Sequence, residues 1–173
     1  MKTMKWFPLV LAAALLAGCK KAEIAPTKPS VDSDLPTQAQ PKLPTIKIYL
    51  GAETLNAELA TTLREIETGM MFRTNVTDQS AMLFIFARPY QPSFWMKNCP
   101  DSLSAAYISP DGVIQEIHHL EKYDTNSVVA ASANIQYVLE VNDGWFQRHH
   151  IGTGMLIQTE AGSLQQTFFQ NRQ

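Results

Sequence analysis

Residues 45–60 read TIKIYLGAETLNAELA, and their alternation decides the class of fold. Ile46, Ile48 and Leu50 share one face of an extended chain, and beyond Gly51 so do Leu55, Ala57 and Leu59, because successive strand side chains point to opposite faces. Two such runs around a glycine predict a β-hairpin with one buried face. The pattern then switches: Thr62 precedes LREIETGM with Glu65 three residues on, a reciprocal capping pattern that starts a helix of roughly two to three turns. Short apolar runs follow: MLFIFA (82–87), FWMK (94–97), LSAAYIS (103–109), VIQEIHH (113–119), IQYVLEVN (135–142) and MLIQ (155–158). Pro110-Asp111-Gly112 reads as a turn between two of them, and Asn142 or Asp143 is expected to cap a short helix over DGWFQRHH. About six to eight short strands with one or two short helices predict a mainly-β domain, a small sandwich or distorted barrel.

Toward the amino terminus the composition changes. Prolines 26, 29, 36, 41 and 44, half of the ten in the chain, are separated by Ser, Thr, Gln and Lys with no aromatic residue. Such a stretch buries too little apolar surface to fold, so residues 19–44 are expected to form a tether with polyproline-II character. That leaves Thr45 to Gln173, 129 residues, as one domain. A body of roughly 130 residues buries about two-thirds of its unfolded surface and needs neither metal nor disulfide to fold.

Residues 1–19 read MKTMKWFPLVLAAALLAGC: lysines at 2 and 5, then an apolar stretch from Trp6 to Leu16. The stretch is short of the ~20 residues of a membrane-spanning helix, and the whole reads as a secretory leader over residues 1–18. The ending Leu16-Ala17-Gly18-Cys19 resembles the bacterial lipobox, which implies cleavage before Cys19 and acylation of that cysteine. Two or three acyl chains anchor stably, since each buried methylene contributes about 0.8 kcal/mol. Lys20 stands where an aspartate would retain the protein at the inner membrane of enteric bacteria, so the expected location is the outer membrane, facing the periplasm.

Hydrophobic residues at 45% and charged residues at 17% fit an ordinary globular body. From Thr45 onward eight Lys and Arg face thirteen Asp and Glu, a net charge of −5, and no basic run interleaves with aromatics. Nucleic acid is therefore not an expected partner.

Three segments in order, ETGMMFR (67–73), MLFIFARPYQPSFWMKN (82–98) and YVLEVNDGWFQRHHIGTG (137–154), resemble one family, the domain of unknown function 192. The resemblance spans about residues 59–157 and implies a small mainly-β fold without an established activity. This chain departs from the family pattern at Ile66, Ala81, Ser104 and Met155. At the last two the family carries aspartate.

The candidate site residues come from the same segments. Alternation along FWMKN sends Trp95 and Lys97 one way and Phe94, Met96 and Asn98 the other. With Phe94 and Met96 inward, an indole beside an ammonium would floor a site for a sugar, peptide or anion. The alternative is that Trp95 covers the core while Lys97 caps a carbonyl or pairs with Glu140. Arg73 can hold a carboxylate in bidentate fashion, from a ligand or from the protein itself. Asn142 reads as a helix cap or a ligand contact. Arg73, Trp95, Lys97, Asn98, Glu140 and Asn142 are thus the expected ligand-binding set.

No cofactor or metal is expected. The pairs His118-His119 and His149-His150 invite a copper reading with the methionines, but neighbours in a strand face opposite ways and cannot share an ion. Cys99, the one cysteine besides Cys19, could form a thiolate pair with His118 or His119, yet the family usually has threonine there. The expected protein is a monomeric, membrane-tethered envelope lipoprotein acting as a binding or accessory module. The alternative is an envelope enzyme using Arg73, Lys97 and Glu140 as electrostatic or acid/base groups.

Overall fold

The computed structural model describes residues 35–170. The expected leader, Cys19 and the larger part of the expected tether lie outside them.

The opening hairpin forms as its alternation predicts. β1 (Thr45–Leu50) pairs antiparallel with β2 (Glu53–Ala60) in the register Leu50↔Glu53 through Thr45↔Glu58. Gly51 turns the chain at φ +62°, a conformation that costs glycine nothing. α1 (Leu63–Thr68) follows with the full capping box: Glu65 N–H donates to Thr62 Oγ1, and the Glu65 carboxylate accepts from the Thr62 backbone. Those backbone donors hold the Glu65 carboxyl below the usual range. Gly69 ends the helix at φ +47°, and an added Cβ would come within 3.3 Å of the Phe84 ring.

This short helix is the crossover that makes β3 (Ala81–Tyr90) parallel to β2, from Glu58↔Met82 to Ala60↔Phe84. The sheet continues through β8 (Ile135–Asn142) and β5 (Leu103–Ile108) to β6 (Ile114–Leu120), all antiparallel. On the other side β1 pairs with β9 (Ile157–Thr159), which pairs with β10 (Gly162–Ser163). The eight strands thus run β10-β9-β1-β2-β3-β8-β5-β6. The sheet curls until its far ends touch: Val113 bridges Leu156, and Ile157 N–H donates to Gly112 O at 2.9 Å. A separate ribbon pairs β4 (Ser93–Phe94) with β7 (Val128–Val129).

The fold is mainly β, as expected, and the central strands explain how a sheet this size is filled. MLFIFA is apolar without a break, and every residue of LSAAYI and IQYVLEV is buried, including Ser104, Gln136 and Glu140, so these strands are covered on both faces. Inside the curl, Leu50, Leu55, Leu83, Ile108, Leu139 and Val141 pack with Trp145 and Phe146 of α2 (Trp145–Arg148). On the opposite face Met82, Phe84, Tyr107 and Val138 pack against Met70, Met71, Met96 and Cys99 from irregular segments.

Four local expectations change. The run 94–97 is a strand only at Phe94, and residues 97–98 turn, because Asn98 adopts φ +61°. The second helix is capped by neither Asn142 nor Asp143: Gly144 takes the N-cap position in a left-handed conformation, without a side-chain hydrogen bond. The ribbon and the π-helical turn Gln166–Gln170 have no counterpart in the sequence reading. Finally, the end of the expected tether is laid on the body: Pro36 is buried, and Gln40 Nε2 donates to the carbonyls of Glu65 and Gly69 at 3.2 and 2.9 Å.

Candidate functional site

The three signature segments meet around one loop, residues 70–80. Phe72 N–H donates to Asn98 O at 2.7 Å, Val76 N–H to the Asp101 carboxylate at 2.8 Å, and Asn142 Nδ2 to Val76 O at 2.7 Å. The loop leaves α1, returns to β3, and is fixed to the FWMKN turn and to the end of β8. Phe72 and Asn75 take φ +60° within it, which non-glycine residues keep only when surroundings hold them. Asn98 and Asn142 therefore act through the backbone of this loop. Asn142 Oδ1 also accepts from Arg148 Nη2 at 2.7 Å, so both ends of its amide are used.

Between the loop and β2 lies a groove of about 680 Å³, lined by Lys42, Thr45, Asn56, Glu58, Arg73, Asn75, Gln79 and Ser80 among others. That is an ordinary size for a small-ligand site. Arg73 lies against its wall with its fork on Glu58, Nη1 to Oε1 at 2.7 Å and Nη2 to Oε2 at 2.8 Å. Glu58 Oε2 also accepts from Leu43 N–H at 2.7 Å, and Arg73 Nη2 reaches Pro41 O at 3.4 Å. The ion pair thus clamps the chain entering β1. Arg73 Nε is buried without a partner among the described residues.

Glu140 sits elsewhere. It alternates with Tyr137, Leu139 and Val141, so it shares the second face with Val138, opposite Met82 and Ala105 of the neighbouring strands. It is 3% exposed. Burial alone pushes its carboxyl up to about 8. Its charge acts on Cys99 and Tyr107. Burial first, then Glu140, push the Cys99 thiol up to about 12, so at neutral pH it is a thiol and not a nucleophilic thiolate. The thiolate pair of Cys99 with a histidine, weighed and set aside in the sequence, is not formed: His118 Nε2 meets Glu116 at 2.8 Å, and His119 lies between Asp143 and Glu121 at 2.7 and 3.2 Å.

Trp95 and Lys97 do come together. Trp95 is 37% exposed while Met96 is buried, and Lys97 Nζ lies 5.5 Å from the indole centroid. This matches the outward arrangement weighed for FWMK, although neither residue lines the groove. The pairing of Lys97 with Glu140 does not occur. The expected six residues therefore divide into one groove wall (Arg73), one surface patch (Trp95, Lys97), two loop holders (Asn98, Asn142) and one interior carboxyl (Glu140).

Sequence reasoning missed Glu58, Asn56, Asp101 and the 74–80 loop. Arg73 and Glu58 lie fifteen residues apart on different elements, and no local spacing announces such a pair. The Thr-Asn-Val-Thr-Asp-Gln-Ser composition of residues 74–80 was the one available signal.

A curled β sheet with a polar groove held by signature turns defines a class of small β domains. The chain belongs to the domain of unknown function 192 family, described as Uncharacterized ACR, whose model matches residues 46–159. A crystal structure from Sinorhizobium meliloti, described as that of a candidate transcription regulator, is 26% identical. It superposes with a TM-score of 0.66, over 70% of this chain and 98% of that one. A second, from Novosphingobium aromaticivorans and of unknown function, is also 26% identical with a TM-score of 0.65, over 76% of this chain and 99% of that one. A comparison with curated proteins found no match.

Proposed function

We propose that this protein is an extracytoplasmic lipoprotein, anchored through acyl chains on Cys19 to the periplasmic face of the outer membrane, whose domain is a monomeric binding module. Its site is the groove between β2 and residues 73–80. The carrying observation is that two separate segments hold the groove-lining loop, the β4–β5 connection through Asn98 and Asp101 and the end of β8 through Asn142, so the lining is preorganised. Asn56, Asn75, Gln79, Thr45 and Ser80 offer neutral donors and acceptors there, and Lys42 a cation. A net charge of −5 from Thr45 onward argues against nucleic acid as the ligand.

The enzyme reading draws on the displaced carboxyl of Glu140. It is the weaker one. Arg73 spends its fork on Glu58, and Cys99 stays a thiol.

The test is a ligand-induced shift screen of the full chain against cell-wall peptides, saccharides and small carboxylates, repeated with Gln79→Trp, which fills the groove. Hits that vanish in the variant support the reading. Hits that persist unchanged, or none, contradict it. The anchor is tested separately: Cys19→Ser should abolish acyl labelling, and labelling that persists would sink that assignment.

A further inference from the structure

The groove borders a gap in the sheet. β2 is paired with β1 from Glu53 to Glu58 but with β3 only from Glu58 onward. In an antiparallel pair, residues alternate between those that exchange both backbone bonds with the partner and those whose groups point away. The connection Gly51-Ala52 closes on Leu50↔Glu53, and Leu59 N–H donates to Pro44 O at 2.9 Å. The exchanging pairs are therefore those of Glu53, Leu55, Ala57 and Leu59. Thr54, Asn56 and Glu58 turn their N–H and C=O groups away from β1. Glu58 meets β3 in the parallel ladder. The β2–β3 ladder begins at Glu58, so neither Thr54 nor Asn56 has a strand partner on that side.

Continued backward, β3 would have covered them: in its register Ala81 faces Ala57. The chain instead diverges into residues 73–80, and the groove occupies the vacated lane, lined by Asn56 on one side and Val76, Gln79 and Ala81 on the other. The two outward positions are about 7 Å apart at the usual rise of ~3.4 Å per residue, the spacing at which an added strand bonds every second residue. Open edges are ordinarily blunted against indiscriminate pairing. Here the edge is recessed behind a held loop, which admits a single extended segment. Glu58 is neutralised by Arg73, leaving Lys42 as the unmatched charge of the lining.

We infer that the open half of β2 takes up an extended peptide segment of a partner protein, pairing backbone to backbone with Thr54 and Asn56 and directing an acidic side chain toward Lys42. The inference deepens the groove reading and rests on it. Affinity comes from main-chain bonds, and selectivity from alternate side chains.

The full chain is tested against a synthetic array of peptides of about ten residues, alternating Thr or Val with variable positions and carrying one Asp or Glu. The best binders are then titrated with their amides N-methylated in one alternating register or the other. Methylation in one register should weaken binding at least tenfold and in the other leave it nearly unchanged. Asn56→Pro removes an outward N–H that β1 does not use and should cause a comparable loss, whereas Leu63→Pro, at the first helical position of α1 and away from the groove, should retain binding. Should Asn56→Pro fail to fold, the methylation series decides alone, since it leaves the protein untouched. Failure of every peptide to bind, insensitivity to both registers, or equal loss in the two proline variants overturns the inference. Saccharides or small carboxylates that shift Asn56 and Gln79 while no peptide binds would overturn the peptide and keep the groove. No response there to any ligand would overturn both.

Discussion

The two faces of the central strands are closed in different ways. The face inside the curl is covered by regular structure: β1, β2 and β9 supply Ile48, Leu50, Leu55 and Ile157, and α2 supplies Trp145 and Phe146. The opposite face is covered by turns carrying methionine, by Cys99, and by the β4–β7 ribbon. It also holds Glu140. The same three strands thus serve an interior closed by regular elements on one side and, on the other, a second apolar core that is closed by loops and holds Glu140. Stability should reside mostly in the first and adjustable chemistry in the second.

Breaking the regular face should have the largest effect. Trp145 is 1% exposed, stands edge-on to Phe146 and is stacked on His149 with centroids 4.4 Å apart. Trp145→Ala should cost about 3–5 kcal/mol by loss of transfer energy and a cavity, read as a fall in the chemical-denaturation midpoint. A loss below about 1 kcal/mol would mean that the curl is not the main core.

The irregular face should respond to pH. Glu140 has a folded carboxyl pushed up to about 8 against an ordinary value of 4.5, so between these values the native state holds a proton that the unfolded chain releases. Its favourable contribution is fully present below about pH 4.5 and is lost as pH rises through about 8. At ~1.4 kcal/mol per tenfold change in proton affinity, the effect is on the order of a few kcal/mol. Glu140→Gln should therefore gain stability over the parent as pH rises from 5 to about 8, with the difference levelling above that. A pH-independent difference would remove the buried-carboxyl account.

The clamp at the groove wall should matter less. Arg73 and Glu58 are 20% and 13% exposed at their side chains, so Arg73→Met leaves a half-buried carboxylate that keeps only the Leu43 N–H. The cost should be about 1–3 kcal/mol, and Glu58→Gln,Arg73→Met together should restore part of it. Additive losses would show that the pair is not coupled.

The smallest effect is expected at Tyr137, whose buried hydroxyl has no partner among the described residues. Tyr137→Phe should be neutral or stabilising by up to about 1 kcal/mol, because an unsatisfied polar group is removed. A loss of more than that in thermal melts would reveal a partner.

How much of this was legible in the sequence follows the same division. The hairpin, α1 with its Thr62–Glu65 capping box and strands β3, β5 and β8 are local patterns of period two or short, largely apolar runs, and they could be read directly. The parallel β2–β3 join, the return of β9 to β1 and the Arg73–Glu58 clamp rest on contacts between distant residues, which no local period encodes. The site residues fared likewise. FWMKN and YVLEVN meet the groove-lining loop through the backbone carbonyl of Asn98 and the side chain of Asn142, while Glu140 faces the interior. The boundary at Thr45 was set by proline content, which is blind to the bonds that Gln40 and Leu43 make with the body.

The central claim is that the held loop and the edge of β2 form the binding site, and not the exposed Trp95–Lys97 patch. A map of backbone amide shifts on the full chain, recorded with the strongest ligand from the screen, tests it most directly. The account predicts that the largest shifts fall on Thr54, Asn56, Arg73 and residues 74–80, with Trp95 and Lys97 unmoved. Shifts concentrated on Trp95 and Lys97, with the groove silent, would contradict it.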